Sequence, residues 1–387
     1  MKGTEDDIVL KLLHTADWHL GRRFHRFGIE AGKTLTRARR DVLERIFLEA
    51  ERNQVDAVLC AGDLFDTPQP DEDFKSALLE VLGKLKWKSR PVFLLPGNHD
   101  PLVAESVWRD PTFRKALPSF VHVVDRELVE VALPNDCVLF AVPCLSRAGQ
   151  NDPTALIPKR APGDARVRIG LVHGSTFDAG DWKTNFPISK DAAVERGLDY
   201  LAIGDTHGFR FVPPDRKVPP TIYPGTPEQT TFGEQDAGNV ALVFINRARQ
   251  AMVQKRKVGQ WQWEELTVKS MDDLRVLAMR TDLAARVLRL TLDLKVNAAE
   301  YSEAEALLNK LEGSAATHAR VGVLELDRAK LSLDLENIDS LSAGLPSVLQ
   351  AAAKRLKEQA EDPQQRPAAE RALYHLFSLA KTQAKAN

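Results

Sequence analysis

The chain has 387 residues, 43% of them hydrophobic and 28% charged, which are the proportions of a folded globular protein with room for one large domain and a smaller one. A formal net charge of −1 excludes any global attraction to nucleic acid or membrane, so a polyanion-binding surface must be a local patch. Three cysteines without paired spacing (Cys60, Cys137, Cys144) exclude a disulfide framework; with no signal peptide and no bilayer-length apolar run, a cytoplasmic protein is expected.

From residue 8 to about 245, apolar runs alternate with helical segments. IVLKLLHTADWH (8–19) predicts a strand. TLTRARRDVLERIFLEAERNQ (34–54) predicts a helix, because Val42, Ile46, Phe47 and Ala50 fall at helical spacing. DAVLCAGD (56–63) predicts a buried strand ending in a Gly turn, and DFKSALLEVLGKLK (73–86) the next helix. PVFLLPGNHD, RIGLVHG and YLAIGDTHG repeat the strand-then-loop form, so an α/β fold with loops gathered at the strands' carboxyl ends is expected. VALPNDCVLFAVP (131–143) and the long stretch 239–268 alternate at period two and predict antiparallel strands beside the parallel ones.

Beyond about residue 270 the pattern changes. In VLRLTLDL, Leu288, Leu290, Leu292 and Leu294 alternate with Arg289, Thr291 and Asp293; a helix (302–313) and ARVGVLELDRAKLSLDLE (319–336) follow, together a small β-α-β domain without His or Cys ligands. Two amphipathic helices close the chain, one carrying Leu345, Leu349, Ala352 and Leu356, the other Leu373, Leu376, Phe377 and Ala380, with EDPQQRPAAE as the break between them. The expected divisions are 1–268, 269–338 and 339–387.

Five strand-end loops carry polar groups typical of metal sites: Asp17 and His19; Asp63 and Asp66; Asn98 and His99; His173; and Asp205 and His207. Carboxylate, amide and imidazole without thiolate suit Mn²⁺, Fe²⁺ or Zn²⁺ better than a structural zinc site. The glycines before Asp63, Asn98 and Asp205 read as sharp turns that aim the next side chain into a cleft. Each motif alone is weak; five together in equivalent loops are not a chance pattern.

In this order, D-x-H, G-D-x-x-D, G-N-H-D, a strand-end His and G-x-x-H resemble the calcineurin-like metallophosphoesterases. HTADWHLGRRF, VDAVLCAGDLFD, VFLLPGNHD and YPGTPEQTTFGEQDAGNVALVFI resemble the branch of SbcD-type DNA repair nucleases, which work with an SbcC-type coiled-coil ATPase. The resemblance implies a two-sheet sandwich flanked by helices, a small β-α-β capping domain, and a C-terminal helix pair for the ATPase. It implies two divalent cations, most simply Mn²⁺, with Mg²⁺, Fe²⁺ or Zn²⁺ as alternatives. It also implies DNA as substrate, no membrane, and a fold compatible with a homodimer. One cation would be held by Asp17, His19 and His207, the other by Asn98, His173 and residue 205, with Asp63 shared. His99 would protonate the leaving oxygen or hold the phosphate, and Asp66 would orient His99 or, on a plainer reading, cap the next helix. Asp100 reads as a cap or supporting group.

The departure from the family pattern is Gly204-Asp205-Thr206-His207, where the family writes G-H-x-H. Asp205 is then a carboxylate ligand, a supporting group beside a weaker second site, or the mark of a degenerate scaffold. The basic stretch 21–40 (Arg22, Arg23, Arg26, Lys33, Arg37, Arg39, Arg40) is either a track for a nucleic-acid backbone or a solvated helix face, with Arg22, Arg23 and Arg26 the candidate DNA contacts. The terminal helix stripes either cover the chain's own core or form a groove for a partner's coiled coil. The functional readings are a DNA phosphodiesterase, a phosphatase or small-nucleotide phosphodiesterase, and a non-catalytic adaptor that binds DNA ends or the ATPase.

Overall fold

The computed structural model describes residues 7–86, 90–177, 184–216, 218–313, 321–335, 342–343 and 345–386. Two compact units divide at 261/262. In the first, β1 (Ile8–Thr15), α1 (Ile29–Arg52), β2 (Ala57–Cys60), α2 (Glu72–Lys84), β3 (Val92–Leu94), α3 (Pro111–Ala116) and β4 (Val121–Val123) form successive strand–helix steps. The hairpin β5 (Val129–Leu133) and β6 (Cys137–Val142), β7 (Val167–His173), the short pair β8 (Thr176–Phe177) and β9 (Ile188–Ser189), α4 (Ala192–Arg196), β10 (Tyr200–Gly204), β11 (Arg210–Phe211) and β12 (Thr221–Tyr223) follow. β13 (Asn239–Asn246) and β14 (Ala251–Lys257) return to the first sheet.

The sheet orders are β14-β13-β1-β2-β3-β4 and β11-β12-β10-β7-β6-β5. β1 to β4 are parallel, as are β6, β7, β10 and β12, so both sheets point the carboxyl ends of their central strands the same way along their own layer. Period-two alternation assigns the faces. Leu10 and Leu12 turn toward the second sheet's Leu139, Ile169 and Tyr200, while Leu13 and Val58 turn toward Val42, Ile46 and Leu78 of the helices. The outer face of the second sheet, with Phe140, Val172 and Ile203, is covered by Ala192, Ala193 and Ile157. The result is the expected two-sheet sandwich between helices.

The second unit contains β15 (Gln262–Val268), α5 (Met271–Met279), β16 (Arg286–Leu292), β17 (Lys295–Val296), α6 (Ala298–Glu312), β18 (Val323–Asp327), β19 (Ser332–Leu333), α7 (Ser347–Gln359) and α8 (Arg366–Ala386). β15 corrects one reading. It does not continue the antiparallel run of β13 and β14 but pairs in parallel with β16, which pairs with β18. The Glu228 carboxylate takes the backbone N–H groups of Gln260 (3.0 Å) and Trp261 (2.8 Å), which ends the hairpin before β15 starts. Leu288, Leu290, Leu292 and Leu294 are buried as their alternation requires. Leu373, Tyr374 and Phe377 of α8 and Ala353 of α7 share that core, so these helix faces cover the unit's own interior. Residues 319, 320 and 336 and the 338/339 division lie outside the described residues. The three cysteines are buried and free, and no described helix is long and apolar enough to cross a membrane.

Candidate metal centre

The ligand loops leave the carboxyl ends of β1, β2 and β3 in one sheet and of β7 and β10 in the other, so the site lies where the two layers meet. The first two loops run side by side, with Asp17 N–H donating to Gly62 O (3.0 Å) and His19 N–H to Asp63 O (2.9 Å). Four candidate ligands hold positive φ, which is uncommon outside glycine: Asp17 (54°), His19 (45°), Asp63 (54°) and Asp205 (110°). Each such residue costs on the order of 1–3 kcal/mol and persists only where the surroundings over-determine it. The glycines have two different reasons. Gly62 does turn the chain (φ +90°), whereas Gly204 is glycine because a Cβ there would stand 2.0 Å from Ala61 O and 2.8 Å from His173 Nδ1.

Ligand atoms of Asp17, His19 and His207 converge within 4.8 Å of one another, as do those of Asp17, Asp63 and His173. In the first group, His19 Nε2 and His207 Nε2 are 3.2 Å apart. His207 Nδ1 is taken by Glu234 Oε1 (2.5 Å), and His19 Nδ1 faces Asp66 Oδ1 at 3.1 Å. Both rings therefore turn Nε2 to one point, where a proton on His207, whose pKa is raised against burial by Glu234 and Asp17, is shared in the metal-free protein and a cation can take its place. In the second group His173 donates from Nδ1 to Ala61 O (2.8 Å), and its Nε2 faces Asn98 Oδ1 (2.8 Å), Asp63 Oδ2 (3.5 Å) and Asp205 Oδ1 (3.9 Å). A third triad, His19, Asp66 and His99, lies on the more open side and shares His19 with the first.

The electrostatics fit the same donor set. Burial disfavours charge on His173, yet Asp63, Asp17 and Asp205 around it raise its pKa to about 10, so without metal a trapped proton supplies the positive charge that these carboxylates require. Burial raises Asp17 to about 7 against the pull of His173 and His207. Burial also opposes the charge on Asp63, but His173, His19 and His99 hold it well below the usual carboxylate range. Burial lowers His19 to about 4, leaving its ring neutral. Ligation must displace the protons on His173 and Asp17. At pH 7, Mn²⁺ binding is therefore expected to release about one to two protons, with affinity rising as pH rises toward and through neutrality. Calorimetry in buffers of different ionisation enthalpy measures this; the same apparent enthalpy in every buffer would contradict it.

Asp205 stands at the edge of the second group. Its backbone N–H donates to the Asp17 carboxylate (3.1 and 3.2 Å), its own carboxylate bonds the Ser175 side chain, and burial raises its pKa. Asp205→His is expected to keep or raise Mn²⁺ occupancy and activity if the carboxylate is a ligand. A Mn²⁺-soaked crystal with Asp205 turned away from both ions would remove it from the ligand set.

Asp66 is not a helix cap, since α2 begins at Glu72 after Asp71. Its Oδ1 is nearer His19 Nδ1 (3.1 Å) than Arg22 (3.7 Å) or His99 Nδ1 (3.9 Å), so it braces a metal ligand first and His99 second. Asp100 ties the second loop to the third by accepting from Leu64, Phe65 and Gly97 N–H groups. Arg22 lies beside Asp66, Arg23 pairs with Asp71 (2.8 Å), and Arg26 lies over the rings of Phe27 and Phe232.

Two residues escaped the sequence reading. Glu234 fixes the His207 tautomer, and no motif marks it because it lies 27 positions away. Arg39, counted among surface cations, is buried and donates to Trp18 O, Asp17 O, Glu228 O and Thr226 Oγ1, stitching the first ligand loop to residues 226–228. Burying such a charge unpaired would cost several kcal/mol, which these acceptors offset. The signal was present: Arg39 falls on the apolar stripe Leu35, Val42, Ile46.

This constellation defines a metal-dependent phosphoester hydrolase. The calcineurin-like phosphoesterase profile matches residues 10–209, just over half of the chain, and the chain belongs to that family, whose members bind two divalent metals. Among solved structures it is similar to TT1561 of Thermus thermophilus, at 15% identity and TM-score 0.40, over 65% of this chain and 99% of that one. It is also similar to a dimetal phosphatase from Danio rerio (13%, TM-score 0.37, 64% and 99%). A third is Yfce, a phosphoesterase from E. coli (15%, TM-score 0.29, 64% and 100%).

Proposed function

We propose that this hydrolase is a phosphodiesterase acting on DNA, the nuclease partner of an SbcC-type coiled-coil ATPase in DNA-end processing. The observation that carries the reading is the placement of cations at the open side of the site, where Arg22 stands 3.7 Å from Asp66, with Arg23 next in the chain. The SbcD-like wording of the first three loops and of residues 223–245 supports it, and the faces of α7 and α8 turned away from their own core, with Val348 and Leu379 exposed, would supply the segment for the ATPase. Two divalent cations, Mn²⁺ by preference, would be held by the groups described above and would supply charge on the phosphodiester and a water of lowered pKa.

The chain's own residues do the rest. His99 is 42% exposed at the mouth, its backbone N–H donates to Asp63 Oδ1 (2.8 Å), and its Nδ1 faces Asp66 O (3.4 Å), leaving Nε2 to protonate the leaving oxygen. Arg22 holds a non-bridging oxygen of the substrate, and Asp66 keeps His19 oriented. Purified protein with Mn²⁺ is expected to cut linear and hairpin-ended DNA. Hydrolysis of p-nitrophenyl phosphodiester alone would make it a small-ester enzyme, and DNA retention without any turnover would make it an adaptor.

A further inference from the structure

Beyond the loop that carries Arg22 and Arg23, the amino-terminal half of α1 faces α2 across a cavity of about 670 Å³. Lys33, Arg37 and Arg40 line it at i, i+4 and i+7, one stripe on one helix face, and Arg23 and His25 stand at its head. The groove reaches the loop that follows the first ligand pair. Its wall residue Phe74 packs 3.3 Å from where a Cβ of Gly21 would be, two residues after His19, and Thr36 Oγ1 donates to Arg22 O (3.2 Å). Acidic neighbours are few and partly engaged: Glu30 pairs with Lys33 (3.0 Å), and Asp73 lies on the opposite rim. Arg37 and Arg40 form no ion pair or hydrogen bond with another described residue. At its far end Arg37 and Arg40 also line an adjoining cavity with Asp41, Glu44 and Glu80, and Lys84 is already held there by Glu44 (3.1 Å) and Glu80 (2.8 Å).

We infer that this α1–α2 groove is a second binding site, one that tracks the phosphate backbone of a nucleic-acid strand as it leaves the metal centre. The inference rests on the nucleic-acid reading of the same site. Seven residues of helix span about 10 Å, the axial length of roughly three phosphates of one strand at ~3.4 Å each. Two exposed guanidiniums beyond ion-pair distance of any described carboxylate are available to an anion, and their planar forks of donors fit phosphate oxygens. The acidic far end repels the strand, so the groove binds a short segment and then releases it.

The test measures binding of a fluorescein-labelled single-stranded 15-mer by anisotropy in EDTA, where cleavage cannot occur, across a salt series. Arg37→Gln/Arg40→Gln is compared with wild type and with Arg126→Gln/Arg249→Gln, which removes the same charge elsewhere on the first unit; thermal melts confirm that all three are folded. The groove variant is expected to bind roughly tenfold more weakly at 0.1 M salt, with the log–log salt slope reduced by about 1.5, and the control to match wild type. If wild type binds and the groove variant binds equally, the groove is overturned and the nuclease reading stands. If wild type does not bind the strand, both fall. An equal loss in groove and control variants would show a net-charge effect and overturn the groove.

Discussion

Asp63→Asn is expected to lower phosphodiester turnover by more than about 10³-fold and to reduce bound Mn²⁺ well below two per chain. The family resemblance makes Asp63 the shared carboxylate: the two groups have Asp17 in common, but Asp63 Oδ2 stands 3.5 Å from His173 Nε2 and 3.9 Å from His19 Nε2, one ring of each group. Losing only a supporting partner of a metal ligand typically costs about 10–100-fold, so losing charge at the shared ligand costs more. Asn keeps the oxygen that accepts the His99 N–H, now 2.8 Å away, so the third loop stays in place and the loss is electrostatic. The depressed pKa of Asp63 keeps it ionised across the working range, and no change of pH restores what the amide lacks. Metal content by mass spectrometry and turnover on a phosphodiester decide the matter; a variant with two metals and normal turnover would end the shared-ligand assignment.

His99→Ala is expected to cut DNA turnover by about 10²–10⁴-fold while metal content stays at the wild-type value. The ring meets His19 edge-on at 4.8 Å between centroids and faces outward, where a leaving oxygen can reach it. A nitrophenolate leaves without needing a proton, so the variant is expected to lose much less on the nitrophenyl ester than on DNA. Loss of one metal equivalent would instead make His99 a ligand in the triad with His19 and Asp66. An equal loss on both substrates would leave it holding the phosphate and not acting as the acid.

The sequence by itself determined the longer strands, the longer helices and the five candidate ligand loops. The short strands β4, β8, β9, β11 and β12 and the helices α3, α4 and α5 carried no pattern strong enough to mark them. Strand patterning is local, as in the alternation of Leu288 to Leu294, and the ligand types are distinctive wherever they end an apolar run. What it could not determine are relations between residues far apart in the chain. Arg39 looked like a surface cation until its acceptors, at 17, 18, 226 and 228, were brought around it. QWEELTV alternates equally well for either neighbour; Glu228 capping the preceding N–H groups and the waiting edge of β16 sent it to the second unit. The family resemblance assigned Asp66 to His99, but packing put His19 closer. Glycine at 204 is required by Ala61 and His173, which lie in other loops. Patterning records which side of an element is buried; only the closed tertiary structure decides which distant donor meets which acceptor, because each such pairing depends on several loops converging at once.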